Sequence, residues 1–186
     1  MIYGNKEGIR DSLLAKLETL YDIEIPAEVF APAELLDVLA AFTCAINREI
    51  SIYVSRSGEV LDITIGGVSS VELKDMHLRR NTKRLSMVRC IHTHPGGNPQ
   101  LSDVDISSLR AMRFDAMAAV GAKDGHATGI QAAFLGEYVG GMNRVHLTEV
   151  APAYKLPQRA WMDAIERADS EVLIGAPNTT KEDQER

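Results

Sequence analysis

The sequence predicts an α/β (α+β) fold, a mixed β-sheet flanked by helices. Three observations carry this. Apolar residues recur every three or four positions in some segments and every second position in others, the difference between a helix stripe and a strand face. These segments succeed one another in the order helix, helix, hairpin, strand, helix, strands, helix. Prolines and paired glycines punctuate them.

Leu13, Leu14, Leu17, Leu20 and Tyr21 give a helix over Asp11–Tyr21. Pro26 and Pro32 interrupt the next stretch, and Leu35, Leu39, Phe42 and Ile46 stripe a second helix over Ala33–Asn47. The period then changes. Glu49–Val54 and Val60–Ile65 alternate strictly around the turn composition Ser55–Glu59, which predicts a hairpin with Ile50, Ile52 and Val54 on one face and Glu49, Ser51 and Tyr53 on the other. A short strand is expected over Ser70–Leu73. The basic stretch Met76–Ser86, with His77, Arg79, Arg80, Lys83 and Arg84, reads as a solvated loop or as a docking patch for an acidic partner. Met87–Thr93 is the next strand, and Ser102–Met112 the next helix. Ala116–Val120 and Ile130–Leu135 read as buried strands, and Pro157–Glu171, with Trp161 and Ile165, as a last helix. Gly140-Gly141 reads as a turn.

At 186 residues and 20.4 kDa the chain suits one domain, 1–175, with a polar tail over 176–186. Lys and Arg number 20 against 26 Asp and Glu, a net charge of −6. That balance, with 5% aromatic residues, offers little to phosphates or to base stacking, so nucleic acid is not the expected partner. No apolar run nears the roughly 18 residues of a membrane span. Met1–Glu7 lacks the basic and apolar regions of a secretory leader. Two cysteines, Cys44 and Cys90, then read as reduced thiols of a cytoplasmic protein, each packed in the core. His77, His126 and His146 lack ligand-like spacing and are expected on the surface.

The chemistry concentrates in His92-Thr93-His94-Pro95, the loop to Leu101, and Ser102-Asp103-Val104-Asp105. Residues i and i+2 of a strand share a face, so His92 and His94 present two imidazoles side by side. Ser102, Asp105, Leu109 and Met112 share one face of the next helix, and that face is apolar downstream. A carboxylate there needs a cation or a hydrogen-bonded partner. Two readings of Asp105 stand at this point. It completes a capping box with Ser102, or it joins the histidines around a metal ion and leaves a position open for water, as in a catalytic zinc site.

This pattern resembles the JAMM (MPN-plus) signature of zinc-dependent, deubiquitinase-like peptidases: His-Thr-His-Pro, seven residues from Pro95 to Leu101, then Ser-x-x-Asp. It is also similar to the His-x-His-Pro-x-Gly stretch of RadC-type proteins. The resemblance implies a JAMM/MPN-like sheet with cytidine-deaminase-like layering. It also implies Zn²⁺ held by His92, His94 and Asp105, Ser102 supporting the tetrahedral intermediate, and an upstream glutamate as general base. Glu49 matches that glutamate better than Glu59 or Glu72. The substrate implied is a peptide or protein cut at a peptide or isopeptide bond. A broader similarity, over Gly4 to Glu137, is to the N-terminal domain of HflX-type ribosome-associated GTPases. It implies a GTPase or ribosome as an alternative partner for a noncatalytic module. No Gly-x-x-x-x-Gly-Lys-[Ser/Thr] occurs, so GTP hydrolysis does not carry over. Oligomeric state, a homodimer included, is left open.

Overall fold

The computed structural model of the protein describes residues 1–26, 29–67, 86–139 and 142–150, with 136–139 and 142–150 described by backbone alone. The expected strand Ser70–Leu73, the basic segment up to residue 85, the Gly140-Gly141 turn, Glu72, His77, the side chain of His146, the helix Pro157–Glu171 and the polar tail lie outside the described residues.

A seven-stranded mixed sheet organises the chain. In sequence order its strands are β1 (Ile2–Gly4), β2 (Ile50–Ser55), β3 (Val60–Ile65), β4 (Val88–Pro95), β5 (Ala116–Lys123), β6 (His126–Val139) and β7 (Met142–Val150). In space they run β1-β3-β2-β4-β5-β6-β7. Helices α1 (Asp11–Glu18) and α2 (Ala33–Ile46) precede β2, and α3 (Asp103–Met112) joins β4 to β5. The α/β class is as expected. The first predicted helix ends early, with Thr19–Asp22 tightening into a 3₁₀ turn. Two strands are not foreseen by periodicity. β1 is three residues long and has no period to display, and β7 comes after a β6 that continues well past Leu135.

Pairing explains the placement of each face. β2 and β3 form the expected antiparallel hairpin, with Ile52 opposite Ile63. β4 runs antiparallel to β2, with Ser51 level with His92 and Tyr53 with Cys90. On its other side β4 runs parallel to β5. A parallel pair cannot be closed by a tight turn, so a crossover is required, and α3 supplies it. β4 is therefore buried on both faces. Ile91 joins the core made with α1 and α2, which includes Leu36, Leu39, Ile50, Ile52 and Phe134. Val88 and Cys90 join a second core beneath α3, with Tyr53, Leu109, Phe114 and Met117.

Two arginines brace the end of the sheet away from the histidines. Arg56 pairs bidentately with Asp115 at the head of β5, at 2.6 and 3.1 Å. Arg89 is 1% exposed and donates to the carbonyls of Ser55 and Val29. Burial draws its pKa down to about 10, against the opposing pull of Asp115, so it stays charged at neutral pH.

The thiols divide differently from expectation. Cys90 is fully buried, and burial, with Asp105 adding, pushes its thiol far up from its ordinary range. Cys44 is exposed rather than packed in the core. The helix stripe explains this correction: Leu36, Leu39, Ala40 and Thr43 face the sheet, and Cys44 lies one residue off that line. In the folded protein a thiol-specific reagent should modify Cys44 alone, with Cys90 joining only after denaturation. Mass spectrometry of the modified peptides checks this, and prompt labelling of Cys90 would contradict it.

Candidate metal centre

The carboxyl end of β4 and the start of α3 meet where a parallel strand hands over to its crossover helix. His92 is 4% exposed and His94 half-buried, both on the α3 side of the sheet. Their Nε2 atoms are 2.9 Å apart. His94 Nδ1 lies 3.1 Å from the carbonyl oxygen of Asn98. A carbonyl only accepts, so Nδ1 must be the donor, and neutral His94 keeps a bare lone pair on Nε2. Burial and neighbouring His92 lower the His94 pKa, while Asn98 and Asp105 pull the other way. The net direction favours the neutral, ligating form.

Asp105 forms the capping box with one oxygen and turns the other toward the histidines. Its Oδ2 accepts the Ser102 backbone N–H and the Ser102 hydroxyl, each at 2.7 Å. The Asp105 N–H in turn donates to Ser102 Oγ at 3.2 Å, which closes the capping box. Oδ1 is turned the other way and lies 3.3 Å from His92 Nε2. Burial alone would raise this carboxyl's pKa. The hydrogen bond and charge of His92 and the two bonds from Ser102 outweigh it and hold Asp105 well below the usual carboxylate range.

The donor set suits a small divalent cation. Ligand atoms of a tetrahedral zinc, each about 2.0–2.1 Å from the metal, lie about 3.3 Å from one another. Here the separations are 2.9 Å between the two Nε2 atoms and 3.3 Å from His92 Nε2 to Asp105 Oδ1, while His94 Nε2 lies 4.0 Å from the other oxygen, Oδ2. One ligand atom from each residue falls within a common 4.8 Å, so the three could hold a metal ion.

Glu49 stands just before β2. Its N–H donates to the Gly67 carbonyl and its carbonyl accepts from Gly66, so it continues the hairpin backbone. Continuing the β2–β4 register by two residues brings it level with His94, on the face that His92 occupies. It is 7% exposed. Burial pushes its pKa up, with His92 opposing and Asp105 adding. The predicted residues Glu49, His92, His94, Ser102 and Asp105 therefore gather in one place, whereas Glu59 is exposed in the hairpin turn and His126 is exposed on β6. The Ser102 hydroxyl donates to Asp105 Oδ2.

Several supporting residues have no local signature. Thr93, between the histidines, points to the opposite face. Its hydroxyl lies 2.5 Å from that of Thr43 on α2 and accepts the Ile50 N–H at 3.0 Å, which fastens the residue after Glu49 to β4. The loop after His94 rests on a floor of small residues: Ala119, Gly121 and Gly129 lie level with His92 and His94 across the sheet. Thr128 Oγ1 donates to the Gly97 carbonyl at 2.7 Å, and Gln131 Oε1 accepts the Leu101 N–H at 2.7 Å. A signal for Gln131 exists in the sequence: it is the polar member of the face formed by Gln131, Ala133 and Leu135. Comparison of the chain with protein-family models and with curated proteins finds no match.

A Cβ on Gly121 would run into the Gly97 carbonyl and Thr128 Oγ1. Gly121→Ala should therefore lift the loop and cost about 1–3 kcal/mol of stability, measurable by urea unfolding. Asp105 gives a pH test on metal-free protein. Its folded pKa is depressed, so its contribution is present above its unfolded value of about 3.9 and lost as pH falls through and below that value. Wild type should lose more stability between about pH 5 and 3 than Asp105→Asn does, while the variant starts lower at neutral pH. Parallel stability curves would refute this assignment.

Proposed function

We propose that the protein is a JAMM-type, zinc-dependent hydrolase of peptide or isopeptide bonds, with His92, His94 and Asp105 as ligands and Glu49 as general base. The observation that carries this reading is the convergence of the three donor atoms beside a buried glutamate. A bound zinc ion supplies Lewis acidity toward an amide carbonyl and lowers the pKa of its water toward about 7. The chain's residues divide the remaining tasks. Glu49 takes the proton of the attacking water and delivers it to the leaving amine, and its raised pKa makes it a stronger base than a solvated carboxylate. Asn98 fixes the tautomer of His94. Ser102 holds Asp105 in place, and it can donate to a developing oxyanion only when its hydroxyl proton leaves Asp105. The reading places the protein in the cytoplasm, with support from the two free cysteines. Among the described residues no helix is long and apolar enough to cross a membrane.

A second reading, a noncatalytic module that docks on a protein, a GTPase or a ribosome as the HflX-like similarity implies, draws support from the same commitment of Ser102 to Asp105.

Elemental analysis of purified protein should find about one divalent metal ion per chain. His92→Ala should lose it. Glu49→Gln should keep it while lowering kcat on a cleaved peptide or isopeptide about 10²–10⁴-fold. The same Glu49→Gln variant should be at least as stable as wild type at pH 7. A carboxyl whose folded pKa is raised destabilises the fold once the pH exceeds its unfolded value, and the amide removes that cost. A wild-type protein that takes up no divalent metal under any loading condition would refute the catalytic reading. Metal without hydrolysis across a broad peptide library would favour the docking module.

A further inference from the structure

Between His94 and Asp105 the chain must cross from the end of a strand to the first turn of a helix through a loop whose glycines, Gly96 and Gly97, both have positive φ. Such a segment has wide conformational freedom unless it is tied down. Its ties are the Thr128 hydroxyl to Gly97, the His94 ring to Asn98, and the Gln131 side chain to Leu101. The last differs from the others in position. Leu101 immediately precedes Ser102, the N-cap, so this bond holds the chain one residue before the capping box that contains Asp105.

Gln131 also occupies a particular place in the sheet. His92 pairs with Ala119 and Ala119 with Gln131, so the three lie in one row across β4, β5 and β6 on the same face. Neighbouring strands are about 4.8 Å apart, which places Gln131 about 10 Å from His92 on a common rigid surface. The methyl group of Ala119 between them leaves the glutamine room to rise to the helix start. Gln131 thus measures the helix N-terminus against the same strands that carry the imidazoles.

We propose that Gln131 is a positioning residue for the metal centre: through Leu101 it sets the distance from Asp105 Oδ1 to the two imidazoles, and with it the affinity and coordination geometry of the site. This rests on the metal reading above, and it assigns a role that the ligand set alone does not contain.

The test is divalent-metal affinity, measured by competition with a chromophoric chelator, alongside the visible spectrum of the Co²⁺-loaded protein. Gln131→Met keeps the length and removes the acceptor, and should weaken Zn²⁺ binding about 10–100-fold, the usual effect of losing such a support. It should also alter the Co²⁺ d–d envelope and speed hydrogen exchange at the Leu101 amide. Gln131→Glu, which keeps an acceptor oxygen at the same reach, should restore affinity to within a few-fold of wild type. Should the Met variant fold poorly, Gln131→Asn, which keeps the amide but falls one methylene short, is expected to give the same loss. Wild-type affinity and spectrum in Gln131→Met or Gln131→Asn would overturn the proposal and leave the metal reading standing. Absence of metal binding by the wild type would overturn both.

Discussion

The parallel pairing of β4 with β5 is the constraint on which the site is built. A strand paired parallel to its successor must be joined to it by a crossover that returns to the starting edge, and the crossover helix begins where the first strand ends. In this chain the first strand ends in His92-Thr93-His94-Pro95, and the helix begins at Asp103 behind a serine cap. Asp105 arrives beside the imidazoles because topology leaves its helix few other places to start. Open α/β sheets bind ligands at the carboxyl ends of their parallel strands for the same geometric reason. The antiparallel partner on the other side, β2, contributes Glu49 by register.

Burial and charge are balanced closely around this point. Glu49 and His92 are nearly inaccessible to solvent, and Asp105 is partly covered. Charged groups in such surroundings persist only with partners. Asp105 has them in Ser102 and His92, and its carboxyl is held ionised. Glu49 has its backbone bonded to Gly66 and Gly67 while its carboxyl is pushed toward the neutral form. Two carboxyls that both interact with His92 are thus driven in opposite directions, one toward the ionised and the other toward the neutral form.

Much of this is legible in the sequence. Period-two alternation locates the hairpin and assigns its faces because Ile50, Ile52 and Val54 on β2 and Ile63 and Ile65 on β3 recur at every second position and join one core. The i, i+2 histidines and the Ser-x-x-Asp spacing need only strand and helix periodicity to place them. The features that are not legible depend on contacts distant in sequence. Gln131 stands out as the polar member of its strand face, but its partner does not: it bonds Leu101 across thirty residues, and Thr93 meets Thr43 across fifty, separations at which no local period carries information. β1 is too short to show alternation and is held by parallel pairing to β3. Cys44 departs from its expected burial because a helix stripe is about 100° wide, so a residue one position off its line already faces water.

The division of Asp105 between its two oxygens has one more consequence. The capping bonds at the first turn of α3 go to Oδ2 or come from the Asp105 amide, the Ile106 N–H adds a bond to the Ser102 carbonyl, and each is complete with protein groups alone. Withdrawing an ion from Oδ1 would therefore leave the helix start fastened. In small zinc modules, by contrast, the fold dissolves with the metal. On the proposed metal reading, loading and stripping would be reversible events on a preassembled cradle, and a chelator would take the ion without unfolding the chain.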